Sequence, residues 1–313
     1  MLIDTRSLPK DERTYLELGA LYEKQGYALY KMKKFEEYSL YLDNRNFLGS
    51  ESVLTFQGFG GKLMALKPDV TLSIVKNARV PEKGCLKLYY RESVYRTERG
   101  GTDFKEINQM GLECIGALTE EDVRGICALA AESLSVIDED FIFAVSHMGY
   151  LSALLDECGV ADEKNRRAVI ECLRARNAHD LPAVAGEGAD TDTLARVIGT
   201  DTDFSSALAV VISLAKGEGT RAAAEELVAL YESFASTPYR GRIRLDLSIV
   251  NDVDYYNGMI FQGYVSRVPK MILSGGRYDG LLSRIGREQG AMGFALNLGE
   301  LNAFYPVKKE ERI

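Results

Sequence analysis

Asp69, Gln109 and Glu113 offer acceptor oxygens that suit an ammonium group, and Tyr255 and Tyr256 offer rings with polar tips. Together with Thr71, such a set can hold a small zwitterion whose side chain is aromatic or heteroaromatic. Asp69 and Thr71 also stand where a helix begins, so capping free amide groups is an equal use for them. Arg96 and Arg277 are candidates for meeting a phosphate or carboxylate through a bidentate contact, although loop arginines commonly remain solvated. The glycines of SGGRYDG, Ser274 to Gly280, do not make a phosphate-cradling loop, because the GK[ST] ending is missing.

These residues need a frame. The stretch from Lys87 to Gly116, KLYYRESVYRTERGGTDFKEINQMGLECIG, reads as two antiparallel strands joined by a polar loop around Gly100 and Gly101. With a period of two, Gln109, Gly111 and Glu113 share one face while Met110, Leu112 and Cys114 share the other. A glycine between two polar side chains leaves floor space for a small polar pocket, though an ordinary half-exposed strand alternates in the same way. Upstream, 11–26 has the spacing of an amphipathic helix, 27–32 that of a strand, and FQGFGGKLM at 56–64 a strand, glycine turn and strand. Pro68 then suits the first turn of a helix within 66–77. Downstream, 119–137 reads as a helix and 141–145 as a strand. Five segments of helical periodicity fill 149–238, and β-rich sequence returns at 243–265, where Asn257-Gly258 is a hairpin signal. A strand and turn at 270–286 and a strand leading into a short helix at 291–301 complete the pattern. The chain is therefore expected to be α+β, with residues 1–145 and 239–313 forming one core and 146–238 a helical insertion.

Composition removes several function classes. The 313 residues carry 27% charged and 46% hydrophobic side chains, with no apolar run near the roughly 20 residues that cross a bilayer. The first residues lack the apolar core of a secretory signal, so the expected location is the cytoplasm and no membrane partner is expected. A formal charge of −8 argues against a broad nucleic-acid footprint. Cys85, Cys114, Cys127, Cys158 and Cys172 show no CxxC pairing and are expected to be buried thiols; His147 and His179 lack a third ligand at a useful spacing. No metal site and no cofactor are expected.

Five segments in one order are more specific than any one of them. LKPDVTLSIVKN, YYRESVYRTERGGTDFKEINQMGLECIG, DVDYYNGMIFQGYV, SGGRYDGLL and AMGFALNLGEL resemble the catalytic core of class II histidyl-tRNA synthetases, from about Leu16 to Leu301. That resemblance implies a mixed, mainly antiparallel sheet flanked by helices, usually dimeric. It also implies a histidine site at Asp69, Thr71, Gln109, Glu113, Tyr255 and Tyr256, and contact of Arg96 with the ATP α-phosphate. Asp69 is one methylene shorter than the family's usual Glu, and Lys33 stands where the dimer motif commonly has proline.

Two further departures bear on activity. Asn251 in NDVDYYN replaces the arginine of the synthetases' RGLDYYN segment, and Glu300 in NLGEL replaces the arginine of GLERL. One unit charge at about 4 Å is worth on the order of 4 kcal/mol at an effective dielectric of 20, so losing two cations would cost an adenylation reaction many orders of magnitude. The hairpin loop lacks much of the family's basic character, and the chain stops at Ile313 without the expected anticodon-binding domain, so tRNA is not an expected partner. SHMGYLSALLDECGV and RARNAHDLPAV are similar to the synthetase-like regulatory subunits of ATP phosphoribosyltransferase. The expectation is a non-catalytic subunit without catalytic residues of its own. Its partners would be a short phosphoribosyltransferase chain, a second copy of itself and histidine, sensed in the pocket or at the subunit interface. An adenylating or aminoacylating enzyme lacking an anticodon domain is the alternative.

Overall fold

The computed structural model describes residues 7–43, 53–97, 103–251 and 256–306. In chain order the elements are α1 (Lys10–Lys24), β1 (Ala28–Leu29), β2 (Phe35–Glu37), α2 (Tyr38–Leu42), β3 (Thr55–Gln57), β4 (Leu63–Leu66) and α3 (Thr71–Asn77). The long pair β5 (Cys85–Thr97) and β6 (Phe104–Gly116) follows, then α4 (Glu120–Ile137) and β7 (Phe141–His147). Six helices come next: α5 (Met148–Glu157), α6 (Glu163–Arg174), α7 (Leu181–Val184), α8 (Thr191–Ile198), α9 (Phe204–Leu214) and α10 (Glu218–Ser233). The chain returns through β8 (Ile243–Leu245), β9 (Met259–Val265), β10 (Leu273–Arg277), α11 (Asp279–Arg284), β11 (Gly290–Asn297) and α12 (Leu301–Phe304).

Eight strands form one sheet in the order β1-β5-β6-β11-β10-β9-β7-β8, and β2-β4-β3 make a smaller one. Only the edge pairs β1–β5 and β7–β8 are parallel; the rest of the large sheet is antiparallel. The alternation in β6 sorts its two faces as expected. Met110, Leu112 and Cys114 enter a core shared with α1, α4 and the six-helix segment, while Ile115 joins Leu88, Tyr90 and the buried residues of α3 and α11 on the other face. Leu154, Val169 and Leu227 belong to the same apolar cluster as Leu112 and Phe143, so the helical segment packs continuously onto the sheet. Its helices start where short acceptors satisfy free amides: Asp162, Asp190 and Asp203 cap α6, α8 and α9, and His147 caps α5.

Several local expectations are corrected. Among the described residues Asn257-Gly258 turns no hairpin, because β7 and β10 are the two neighbours of β9 and take the hydrogen bonds a hairpin would have used. Pro68 lies ahead of α3, whose first residue is Thr71, because β4 continues to Leu66. The strand expected over 27–32 shortens to two residues at the sheet edge. Cys85 is only half-buried, unlike the other four cysteines.

Candidate functional site

The register of the central strands decides which side chains meet. Leu88 pairs with Glu113, Tyr90 with Gly111, Glu92 with Gln109 and Arg96 with Lys105. On the other side of β6, Gly293 pairs with Glu113 and Asn297 with Gln109, and Gly276 of β10 pairs with Gly293. Paired residues share a face, so Arg96, Tyr90, Gln109, Glu113 and Asn297 project to the same side of the sheet.

Glu113 is the centre of that surface and is 2% exposed. Thr71 Oγ1 donates to its Oε1 at 2.7 Å, and the Tyr278 hydroxyl donates to its Oε2. Burial pushes the Glu113 carboxyl up to about 8; the two hydroxyls act against that rise, and nearby Asp69 adds to it. Asp69 Oδ1 accepts from the Leu72 amide at 2.8 Å, so the capping role expected at this helix start is filled. The Asp69 carboxyl is likewise raised by burial, with its Leu72 bond and the Arg96 charge working the other way. Two carboxyls thus share a dry site, and the side-chain partners of Glu113 are neutral hydroxyls. An incoming cation would stabilise both.

Glycine makes this arrangement possible. A Cβ on Gly293 would lie 2.0 Å from Glu113 Oε2, and one on Gly276 would lie 2.8 Å from Tyr256 Cδ1. Tyr256 therefore stands over Gly276 on the Glu113 side of β10. The floor space expected above Gly111 is taken: a Cβ there would meet the Tyr90 hydroxyl at 2.5 Å. Tyr90 is buried, and the cost of burying a phenolate keeps its hydroxyl protonated well beyond the ordinary range.

The remaining candidates lie further out. Gln109 is 7% exposed and donates from Nε2 to Asn297 Oδ1 at 2.8 Å. Arg96 is half-buried on the pocket face. Arg277 pairs with Met292 and so points to the opposite face, where its Nε meets Asp279 Oδ2 at 2.8 Å; it does not join the Glu113 group. Tyr255 lies outside the described residues, and Asn251 is an exposed residue immediately before them. Glu300 Oε1 accepts from Lys270 Nζ at 3.0 Å, with both side chains more than half exposed. That pair borders a cavity of about 260 Å³ which also reaches Lys105, Asn108 and Asn297. A lysine therefore stands beside the position where the resembled synthetases have arginine, but Glu300 neutralises it.

Sequence reasoning missed Tyr278, Tyr90 and the glycines Gly276 and Gly293. The signal was present in SGGRYDG: a glycine pair just before a tyrosine marks a strand that something approaches closely. His147, read as structural, caps α5 by accepting the Tyr150 amide at Nδ1, 3.0 Å away, which leaves the proton on Nε2 facing Glu226 Oε2 at 3.2 Å.

The family model for histidyl-tRNA synthetase matches residues 6–301. An ATP phosphoribosyltransferase regulatory subunit from Thermoanaerobacter sp. (strain X514) is 30% identical over 274 residues, 82% of this chain and 70% of that protein. A histidine–tRNA ligase from Methanocaldococcus jannaschii is 26% identical over 345 residues, 98% of this chain and 78% of the ligase. Among solved structures, an ATP phosphoribosyltransferase regulatory subunit/histidyl-tRNA synthetase from Bacillus halodurans superposes with a TM-score of 0.81 at 24% identity, over 94% of this chain and 80% of that one. A chain of the ATP phosphoribosyl transferase (HisG:HisZ) complex from Thermotoga maritima superposes with a TM-score of 0.73 at 18% identity, over 92% and 97%. The mainly antiparallel sheet, the buried acidic pocket on β6 and these matches agree: the chain belongs to the histidyl-tRNA synthetase family, together with its ATP phosphoribosyltransferase regulatory subunits.

Proposed function

We propose that the chain is a non-catalytic regulatory subunit of ATP phosphoribosyltransferase, acting in the first step of histidine biosynthesis. It binds the short catalytic subunit, supports its activity and takes part in feedback by histidine, working in the cytoplasm as a dimer within a hetero-oligomer. In this reading residues 1–145 and 239–313 are the synthetase-like core and 146–238 the helical insertion. Among the described residues no helix is long and apolar enough to cross a membrane.

The observation that carries the proposal is the contrast between the two ends of the same strands. Glu113, held by Thr71 and Tyr278 beside Asp69, keeps a dry acidic cradle suited to the ammonium group of an amino acid. At the far end of the same strands, Glu300 cancels the charge of Lys270 where adenylate chemistry needs a surplus of cations. Asp69, Thr71, Gln109, Glu113, Tyr255 and Tyr256 are the proposed histidine contacts, and Arg96 a proposed anion contact. Histidine regulates by binding one assembly state more tightly than another, since equal affinity for both would shift nothing.

The test is co-purification with a short phosphoribosyltransferase chain, followed by an assay of phosphoribosyl-ATP formation with and without histidine. Association with a raised, histidine-sensitive rate is expected; neither association nor a change of rate would overturn the proposal. The ligase relative and the synthetase family model favour one other reading, an adenylating or aminoacylating enzyme. Pyrophosphate exchange by the purified chain with histidine and ATP would establish that reading instead.

A further inference from the structure

On the reverse face of β6, two sulfurs and a carboxylate converge. The register opposes Cys114 to Lys87, which makes Cys85 its diagonal neighbour on the adjacent strand and the same face. Asp122 arrives from the first turn of α4, set there by a capping box in which Thr119 Oγ1 accepts the Asp122 amide and Asp122 Oδ2 accepts the Thr119 amide. One ligand-type atom from each of Cys85, Cys114 and Asp122 lies within 4.8 Å of the other two. Cys114 is buried while Cys85 and Asp122 are half-buried, so the group has an inner wall and an open side.

Packing two thiols against a carboxylate is a poor use of space unless a cation shares it. Lys87 plays that part here: its Nζ is 3.2 Å from Asp122 Oδ1, and with its side chain 37% exposed it can withdraw into solvent. A disulfide is the less natural outcome. Diagonal cross-strand neighbours have Cα atoms about 7–8 Å apart, whereas disulfides usually span about 4.4–6.8 Å. A metal ion bridges a wider gap, because two sulfurs bound tetrahedrally at about 2.3 Å stand roughly 3.8 Å from each other. The separation of at most 4.8 Å thus needs only a small contraction.

We propose that Cys85, Cys114 and Asp122 bind a thiophilic divalent cation of the zinc or cadmium class, with water completing a tetrahedron on the open side. Binding forms two metal–sulfur bonds and one metal–oxygen bond, releases the two thiol protons to solvent and displaces Lys87 from Asp122; no electrons are transferred. The ion joins the start of β5, the end of β6 and the first turn of α4, directly behind the strand position that carries Glu113. Nothing in the residue spacing announced this site, because 28 intervening positions separate the two cysteines and only the strand register brings them together.

The experiment is a cadmium titration of the full chain, following the thiolate-to-cadmium ultraviolet band and protection of Cys85 from alkylation. Saturation at one cadmium per chain, with the amplitude of two thiolates, is expected. Cys85→Ser should abolish the band while leaving the circular dichroism spectrum unchanged, and Asp122→Asn should weaken binding about tenfold. Lys87→Met removes the competing cation and should tighten binding, an effect that a purely packing role for the cluster would not produce. A band that is absent from the wild-type chain, or that survives Cys85→Ser, would overturn the proposal. So would Cys85 alkylation at an unchanged rate with cadmium bound.

Discussion

The two ends of the central strands are built on opposite principles. Around Glu113, the carboxyl is buried and each polar group is placed by a neighbour: Thr71 and Tyr278 hold the carboxyl, Gly293 and Gly276 clear room, and Tyr90 closes the floor. Around Glu300, the charged groups are exposed, and a lysine–carboxylate pair cancels itself in water. Buried polar networks are costly to maintain unless they are fully satisfied, and exposed ion pairs cost almost nothing to change. In the proposed reading, the difference sets the acidic cradle as the part that holds a ligand and the exposed end as the part free to vary.

The sharpest way to break this contrast is to fill the space that the cradle keeps open. Gly293→Ala places a Cβ 2.0 Å from Glu113 Oε2 and 2.4 Å from the Leu112 carbonyl, so strands and carboxyl must both move. A loss of about 3 kcal/mol in urea denaturation is expected. Loss of histidine binding, measured by calorimetry, should accompany it. An unchanged midpoint would mean that the approach of β11 to Glu113 is not a constraint.

Next in size is the pH dependence of Glu113. Its carboxyl is raised by burial from 4.5 to about 8, so between those values the folded chain holds a proton that the unfolded chain has released. Stability from this group therefore falls as pH climbs through that window, by up to about 1.4 kcal/mol per unit, and is fully present only below the unfolded value. Denaturation at pH 5.5 and 7.5 should show the fall, and Glu113→Gln should flatten it. For the same reason a ligand ammonium that draws Glu113 into its charged form should release a proton on binding at pH 7. Histidine binding that shows no proton release across buffers of different ionisation enthalpy would separate the ligand from Glu113. A smaller effect is expected from Tyr278→Phe, which removes one donor to a carboxyl left buried and should cost about 1–2 kcal/mol by the same denaturation assay.

Much of this was legible because strands report faces directly. The alternation Gln109, Gly111, Glu113 against Met110, Leu112, Cys114 assigned both sides of β6 correctly, and the acidic pair Asp69 and Glu113 does come together. What the residues could not convey was pairing order. Asn257-Gly258 is a genuine turn dipeptide, yet β7, arriving from far upstream, occupies the place of a hairpin partner. Arg277, an anion-contact candidate, lies apart from the Glu113 group for a related reason: one step along β10 from Gly276 sends its side chain to the other face, to Asp279. Tyr278 went unassigned and Cys85 was read only as a buried thiol because their partners, Glu113 and Cys114, are 165 and 29 positions away and meet them only in the folded sheet. The periodicity of a segment reveals its own faces, but contacts between segments follow from topology.

The smallest effect belongs to the exposed end, and it sharpens the comparison from the other side. Lys270 and Glu300 have side chains 57% and 53% exposed, so Glu300→Gln should shift the unfolding midpoint by less than about 0.5 kcal/mol, against several for Gly293→Ala. Its effect on ligands should be larger than its effect on the fold. Removing the counter-charge of Lys270 restores one net positive charge beside the cavity that reaches Asn297, and at about 4 Å in water such a charge is worth about 1 kcal/mol. Pyrophosphate should therefore bind roughly fivefold more tightly to the variant at low salt, with the gain fading as ionic strength rises. Pyrophosphate exchange should still be absent, because Asn251 remains and one screened charge cannot organise an adenylation transition state. If the single change instead brings exchange to a measurable rate, the nucleotide end has kept its machinery, and the two ends differ by one side chain rather than by their purpose.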